Sequence, residues 1–106
     1  MKLENVLSEI HKWYECVSRK YAGIINFEIN KNEEDLFIVN LEINRYIAQL
    51  VVENTGFHPH RFVSFIVLDI EKDVTQQYAY YYYDSEKDSI SDIIDQLNQG
   101  IEFITN

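Results

Sequence analysis

The chain has 106 residues, 46% of them hydrophobic, with only 3 glycines and 1 proline; this favours one folded domain over a disordered chain. Its 18 acidic residues against 9 basic ones give a formal net charge of -9, which disfavours nucleic acid and anionic membranes as partners and favours basic proteins. Cys16 is the single cysteine, so an intrachain disulfide is excluded. No apolar run has the length of a membrane span, and acids interrupt the N-terminal apolar stretch, unlike in a signal peptide. We therefore expect a cytoplasmic protein with a single α+β domain over residues 1–106.

An amphipathic helix is predicted over residues 3–21. Its apolar side chains follow the i, i+3, i+4, i+7 spacing of one helical face; they are Leu3, Val6, Leu7, Ile10, Trp13, Tyr14, Val17 and Tyr21. Gly23 is expected to end this helix.

After Gly23 the apolar period becomes two, which predicts β-strands. A first strand with Ile25, Phe27 and Ile29 facing inward is expected to lead into an acidic turn, Lys31–Asp35. A hairpin follows, closed by a two-residue turn at Asn44-Arg45 or by a slightly longer loop. The apolar residues then pair on one face and the polar ones mostly on the other: Ile43 with Tyr46, Leu41 with Ala48, Val39 with Leu50, Phe37 with Val52, Asn40 with Gln49, Glu42 with Ile47 and Leu36 with Glu53.

Two more strands, Phe62–Glu71 and Gln77–Asp84, are predicted after a loop at Asn54–His60. In the fourth strand, Phe62, Ser64, Ile66, Leu68 and Ile70 are expected to face inward, and Val63, Phe65, Val67, Asp69 and Glu71 outward. The fifth carries five of the chain's 8 tyrosines, with Tyr78, Tyr80 and Tyr82 on one face and Tyr81 and Tyr83 on the other. An exposed apolar patch is expected at Ile38, Ile47, Val51, Phe65 and Val67, larger than a monomer usually exposes.

A second amphipathic helix is predicted from a capping box at Ser89 and Asp92 to about Phe103. Within it, Gly100 marks either a close packing contact or the helix end. The predicted fold is α+β: a helix, a four- to five-stranded antiparallel meander and a second helix, with both helices on one sheet face.

No residue pattern points to catalysis, a cofactor or a metal. His58 and His60 flank Pro59, but a structural zinc site takes four ligands and no spacing supplies the others. His11 and Cys16 project from different sides of the predicted helix, which does not favour a nucleophile and base. We expect a protein that is not an enzyme.

The tyrosine-rich strand has three alternative interpretations. Exposed rings on a strand are a stacking platform in single-strand nucleic-acid binders, but the acidic field opposes that use. Tyrosine is also a preferred anchor in protein interfaces. In the third interpretation the rings are buried on both faces, between the helices and the second subunit of a homodimer.

Several segments together form a pattern that covers most of the chain. They are WYECV (Trp13–Val17), EINRYIAQLVVEN (Glu42–Asn54), FVSFIVLDIE (Phe62–Glu71), YYYYDSE (Tyr80–Glu86) and the closing amphipathic helix. This pattern resembles the immunity proteins of bacterial contact-dependent growth inhibition and related polymorphic-toxin systems. The resemblance implies a small, cytosolic, acidic, non-enzymatic protein that binds and neutralises a cognate toxin domain, often a basic nuclease.

The expected toxin-binding surface combines acidic residues and tyrosines around the fourth and fifth strands. It comprises Glu42, Asp69, Glu71, Asp73, Tyr80, Tyr82 and Asp84. The alternative is a small acidic secretion chaperone or another non-enzymatic protein-binding module. A chaperone would hold an extended client on apolar grooves, whereas an immunity protein grips a folded domain.

A net charge of -9 predicts no measurable affinity for single-stranded DNA or RNA near physiological salt, because cationic side chains must displace counterions from phosphates. Fluorescence anisotropy with labelled oligonucleotides measures this. Micromolar binding that weakens as salt is added would contradict the expectation and support the base-stacking interpretation.

Overall fold

The computed structural model describes residues 1–54 and 61–106, and it has the predicted α+β order of elements. The predicted loop residues from Thr55 to His60, including His58 and His60, lie outside the described part. The elements are α1 (Leu3–Lys20), β1 (Asn26–Glu33), β2 (Leu36–Ile43), β3 (Tyr46–Glu53), β4 (Val63–Asp69), a 3₁₀ turn (Val74–Gln76), β5 (Tyr78–Tyr83) and α2 (Ile90–Thr105).

The strands form one antiparallel sheet in the meander order β1-β2-β3-β4-β5. The register predicted for the β2–β3 hairpin is confirmed at every pair named from the sequence, from Ile43 opposite Tyr46 to Leu36 opposite Glu53. Asn44 has a positive φ of 52°, a conformation that asparagine tolerates better than most residues. The positive φ therefore falls on asparagine and not on Arg45, and the two-residue turn closes.

The first hairpin differs from the sequence prediction. Strand β1 continues to Glu33, with a register shift between Ile29 and Lys31. Because the shift realigns the strand, Lys31 lies opposite Ile38 and Glu33 opposite Leu36. The predicted five-residue turn is therefore reduced to Glu34 and Asp35.

Both helices pack on the same face of the sheet, as predicted. His11 on α1 contacts the Phe37 ring of β2 with centroids 4.3 Å apart, and α2 lies beside β4 and β5. The two helices are joined by a hydrogen bond of 2.8 Å that Trp13 Nε1 donates to Asn98 Oδ1. We call the helix-covered side of the sheet the inner face and the opposite side the outer face.

Helix α2 begins at the predicted capping box and passes through Gly100. Ser89 Oγ accepts from the Asp92 backbone N at 3.1 Å, and Asp92 Oδ2 accepts from the Ser89 backbone N at 2.9 Å. Gly100 is buried, and a Cβ atom there would overlap the Phe65 ring and lie 3.1 Å from the Tyr80 ring. Gly100 therefore marks a close packing contact, and the helix continues to Thr105.

The predicted facing of β4 is wrong and has to be reversed. Val63, Phe65 and Val67 have no exposed surface and lie opposite inner-face residues of β3, so neither Phe65 nor Val67 belongs to an exposed patch. The physical reason is the gap left by Gly100, which admits the Phe65 ring. Ser64, Ile66 and Leu68 consequently lie on the outer face.

A bulge in β5 corrects a second prediction. Val67 pairs with Tyr80, but Leu68 pairs with Tyr78. Ala79 is therefore an extra residue of β5 that has no partner in β4. A bulge of this kind changes the alternation of side chains along a strand. Tyr78 therefore shares the outer face with Tyr81, not the inner face with Tyr80.

Gly100→Ala should destabilise the fold by about 1–3 kcal/mol because the new methyl group overpacks against Phe65, although alanine is the better helix former by about 1 kcal/mol. Urea unfolding measures the change. The control is Gln99→Ala, at the exposed neighbouring position, which should change stability by no more than about 0.5 kcal/mol.

The same substitution in a Phe65→Leu background should cost less, since the ring that blocks the methyl group is gone. A Gly100→Ala variant that gains stability in the wild-type background, or a cost unchanged by Phe65→Leu, would contradict the contact.

Candidate protein-binding face

The outer face is the part of the sheet that neither helix covers, because α1 and α2 both complete the core on the inner side. Strand pairing arranges its side chains in three rows that cross all five strands. The rows are Asn26–Glu42–Ile47–Leu68–Tyr78, then Glu28–Asn40–Gln49–Ile66–Tyr81, then Lys31–Ile38–Val51–Ser64–Tyr83.

The chemistry of this face changes from one side to the other. Strands β1 and β2 contribute mainly carboxylates and amides, whereas β4 and β5 contribute mainly aliphatic side chains and tyrosines. Tyr78 and Tyr81 are 67% and 64% exposed, and Ile47 between the two halves is 38% exposed. Large exposed rings beside aliphatic side chains are the composition of a protein-interface centre, here with an acidic border on one side.

A shallow depression of about 540 Å³ lies on the outer face where the acidic and apolar halves meet. Among the side chains around it are Glu28 and Glu42 on one side, Ile47 and Leu68 in the middle and Tyr78 on the other. The depression thus offers negative charge, apolar surface and an aromatic ring within one site.

The residues predicted for toxin binding divide into exposed and buried groups. Glu42 lies on the outer face, and Glu71 and Asp73 are exposed in the loop between β4 and β5. Asp69, Tyr82 and Asp84 are only 3%, 9% and 1% exposed. Since these three present almost no surface to a partner, they do not form one contact surface with the exposed acids.

Asp69 holds together the ends of two strands. Its Oδ2 atom lies 3.1 Å from Arg45 Nε in an ion pair, and its Oδ1 atom accepts from the Glu71 backbone N at 3.0 Å. The pair joins the β2–β3 turn to the end of β4. A buried acid with these partners stabilises the fold, so a charge reversal here would act on folding before it acted on binding.

Asp84 fixes the start of β4 after the loop. Its Oδ1 atom accepts from three successive backbone N–H groups, those of Arg61, Phe62 and Val63, at 3.0, 2.8 and 2.8 Å. The guanidinium of Arg61 adds an ion pair of 3.9 Å to Oδ2. The Arg61 backbone N also donates to the Asp84 backbone O at 3.1 Å, so the side chain adds to the backbone hydrogen bonds that join the start of β4 to the end of β5.

The inner-face tyrosines also have structural partners. Tyr80 Oη donates to the Gln96 backbone O at 2.7 Å, and Tyr82 Oη donates to Asp88 Oδ2 at 2.9 Å. Burial raises the pKa of Tyr80. It also raises the pKa of Tyr82, with a further contribution from the hydrogen bond to Asp88. Both hydroxyls therefore stay protonated and join β5 to α2 and the segment that precedes it.

Sequence reasoning did not include Glu28, Ile66, Leu68, Tyr78 and Tyr81 in the contact surface. The alternation in β1 already placed Glu28 outward, and this signal was available. Assigning Ile66 and Leu68 to this surface required the correct facing of β4, and assigning Tyr78 to it required the bulge in β5. Neither of these last two features has a signal in the residue pattern.

No group of three or more His, Cys, Asp or Glu side chains within residues 1–54 and 61–106 is arranged to hold a metal ion. Neither α1 nor α2, the helices of the described ranges, has the length and apolar character needed to cross a bilayer. Comparisons with protein-family models, curated proteins and solved structures gave no match.

Asp84→Ala should destabilise the protein by about 3 kcal/mol or more, because it removes the carboxylate that accepts from the Phe62 and Val63 backbone N–H groups and pairs with Arg61. Asp84→Asn should cost less, about 1–2 kcal/mol, since an amide oxygen still accepts but without charge assistance. Urea unfolding gives both values. Asp95→Asn, at an exposed position of α2, is the control and should stay within about 0.5 kcal/mol; an equal effect at Asp84 and Asp95 would contradict the assigned role.

Proposed function

We propose that this protein is an immunity protein that neutralises a cognate bacterial toxin domain by binding and covering it in the cytoplasm, with no chemistry of its own. The observation that carries the proposal is the outer face, where exposed tyrosines and aliphatic side chains stand beside an acidic border with no described helix over them. The resemblance in element order to immunity proteins of polymorphic-toxin systems supports the same assignment.

The size of the outer face suits a folded partner. Stable protein complexes bury roughly 800 Å² on each side, and the molecule measures 37 × 31 × 23 Å, with all five strands contributing to this face. Tyrosine side chains on a hydrogen-bonded sheet lose little conformational entropy on binding. These properties favour a folded domain as the ligand.

The charge favours a basic partner. A net charge of -9 raises the rate at which a cationic domain arrives and lowers it for nucleic acid. A nuclease toxin carries basic surface because it grips phosphates, so an acidic protein can cover the same surface. We therefore propose a basic, nuclease-type toxin as the partner.

The second candidate, a secretion chaperone, draws support from a groove of about 550 Å³ between the helices, in which Trp13, Val17, Ile94 and Ile101 contribute apolar surface. An extended client would lie there and not on the outer face. The two functions therefore predict binding at opposite sides of the molecule.

Co-expression of this protein with the toxin domain encoded beside its gene should restore the growth of the host cells. The purified pair should form a stable complex, which calorimetry measures. Tyr81→Ala should weaken that complex by about 2 kcal/mol, roughly 30-fold in Kd, if the ring is a central anchor. The control is Phe103→Leu, which removes an exposed ring from α2, on the opposite side of the sheet, and should leave Kd unchanged.

Failure of the wild type to restore growth would refute the immunity function. Rescue that is insensitive to Tyr81→Ala but lost on substitution of Ile94 in the interhelical groove would place the partner on the helices instead.

A further inference from the structure

We propose that the depression on the outer face receives an arginine side chain of the protein partner, with its guanidinium between Glu28 and Glu42. This inference rests on the proposed function in taking a basic protein as the partner. It adds the chemical group that is recognised, the residues that recognise it and the direction in which the partner lies on the sheet.

The two carboxylates form the charged end of the site. Glu28 lies opposite Asn40 and Glu42 opposite Asn26, so the two acids are diagonal neighbours on adjacent strands. Diagonal positions in an antiparallel pair lie about 7–8 Å apart. A planar group with five N–H donors can reach both carboxylates at that separation.

The carboxylates of Glu28 and Glu42 have no cationic partner among the residues that the structure describes. Lys31, the cation on the outer face of β1, forms an ion pair of 3.9 Å with Glu33. Arg45, near Glu42 in the sequence, pairs with Asp69. Two neighbouring acids without an internal cation repel each other, and a cation from outside relieves that repulsion.

The surface beside the carboxylates suits the rest of an arginine side chain. Ile47, on the strand next to Glu42, provides apolar surface for the methylene groups. Leu68 and the exposed Tyr78 ring lie one and two strands beyond Ile47 in the same row, so neighbouring residues of the partner would contact them. Gln49 Nε2 donates to Asn40 Oδ1 at 3.0 Å, and both side chains add polar groups to the depression. Apolar surface with a few polar groups at one end is the usual form of a binding site.

The charges argue against a second copy of this chain as the occupant. A self-associated pair with these faces together would bring Glu28 and Glu42 against more surface of the same acidic protein, whose net charge is -9. Like charges placed opposite each other destabilise an interface. A partner with arginine over β1 and β2 and apolar surface over Tyr81 and Ile66 complements both halves of the outer face.

An NMR titration of the ¹⁵N-labelled protein with N-acetyl-arginine-N-methylamide tests the site directly. We expect saturable shifts at the amides of Glu28, Glu42 and Ile47, with a Kd in the millimolar range expected of a single side chain. The same derivative of citrulline, a neutral analogue of similar shape, should bind at least fivefold more weakly, and the lysine derivative should bind more weakly than arginine because it lacks the planar fork.

The variant for this titration is Glu28→Gln with Glu42→Gln, which keeps the shape of the site and should weaken arginine binding about tenfold or more. The control, Glu15→Gln with Glu102→Gln, makes the same change in net charge at exposed helix positions and should leave the site unaffected. Equal binding of citrulline or lysine, equal weakening by the two variants, or shifts centred elsewhere would overturn the proposal. Shifts of the same amides on dilution would assign the face to a second copy and also overturn it.

This experiment separates the site from the function. If arginine binds as expected but the wild type gives no protection from the toxin, the immunity function fails and the site remains. If the wild type protects and Glu28→Gln with Glu42→Gln leaves the affinity for the toxin unchanged, the function remains and the arginine site fails.

Discussion

The contact between Gly100 and the Phe65 ring determines which side of the sheet is buried. Because Gly100 has no side chain, the Phe65 ring of β4 reaches the backbone of α2. Val63 and Val67, two residues before and after Phe65, therefore also face inward and are buried. Side chains in a strand alternate, so Ile66 and Leu68 are left on the outer face. The composition of the candidate binding face is therefore a consequence of one helix–strand contact on the opposite side.

The acidic residues of this chain perform different tasks, and net charge alone does not distinguish them. Asp69 and Asp84 are buried and accept from backbone N–H groups or pair with arginine, which stabilises strand ends. Glu28 and Glu42 stand exposed on the sheet, without such partners among the described residues. The sequence predicted a basic partner from the total charge. Which carboxylates remain available to such a partner depends on which of them already have partners inside the fold.

The sequence predicted the elements and the β2–β3 register well because both faces of that hairpin agreed on one pairing. The prediction failed in β4, because the segment VSFIVLD carries apolar side chains on both faces. Asp69 then favoured the wrong assignment, in which Asp69, Phe65 and Val67 face outward. The missing information was that Arg45 neutralises Asp69 from the neighbouring turn. It also failed at Tyr78, because a bulge depends on how two strands fit together and not on the composition of either one.

An exposed sheet face that carries tyrosines and aliphatic side chains normally favours self-association. Here the carboxylates lie in the same rows as the apolar residues, so a second copy that covers the whole outer face also brings Glu28 and Glu42 toward surface of the same acidic protein. The acidic half thus disfavours identical partners and favours cationic ones, and in the proposed complex the apolar half would supply most of the binding free energy. If the proposed partner binds this face, specificity and affinity come from different strands of one sheet, and substitutions in β1 and β2 would change the preferred partner without altering the tyrosines of β5.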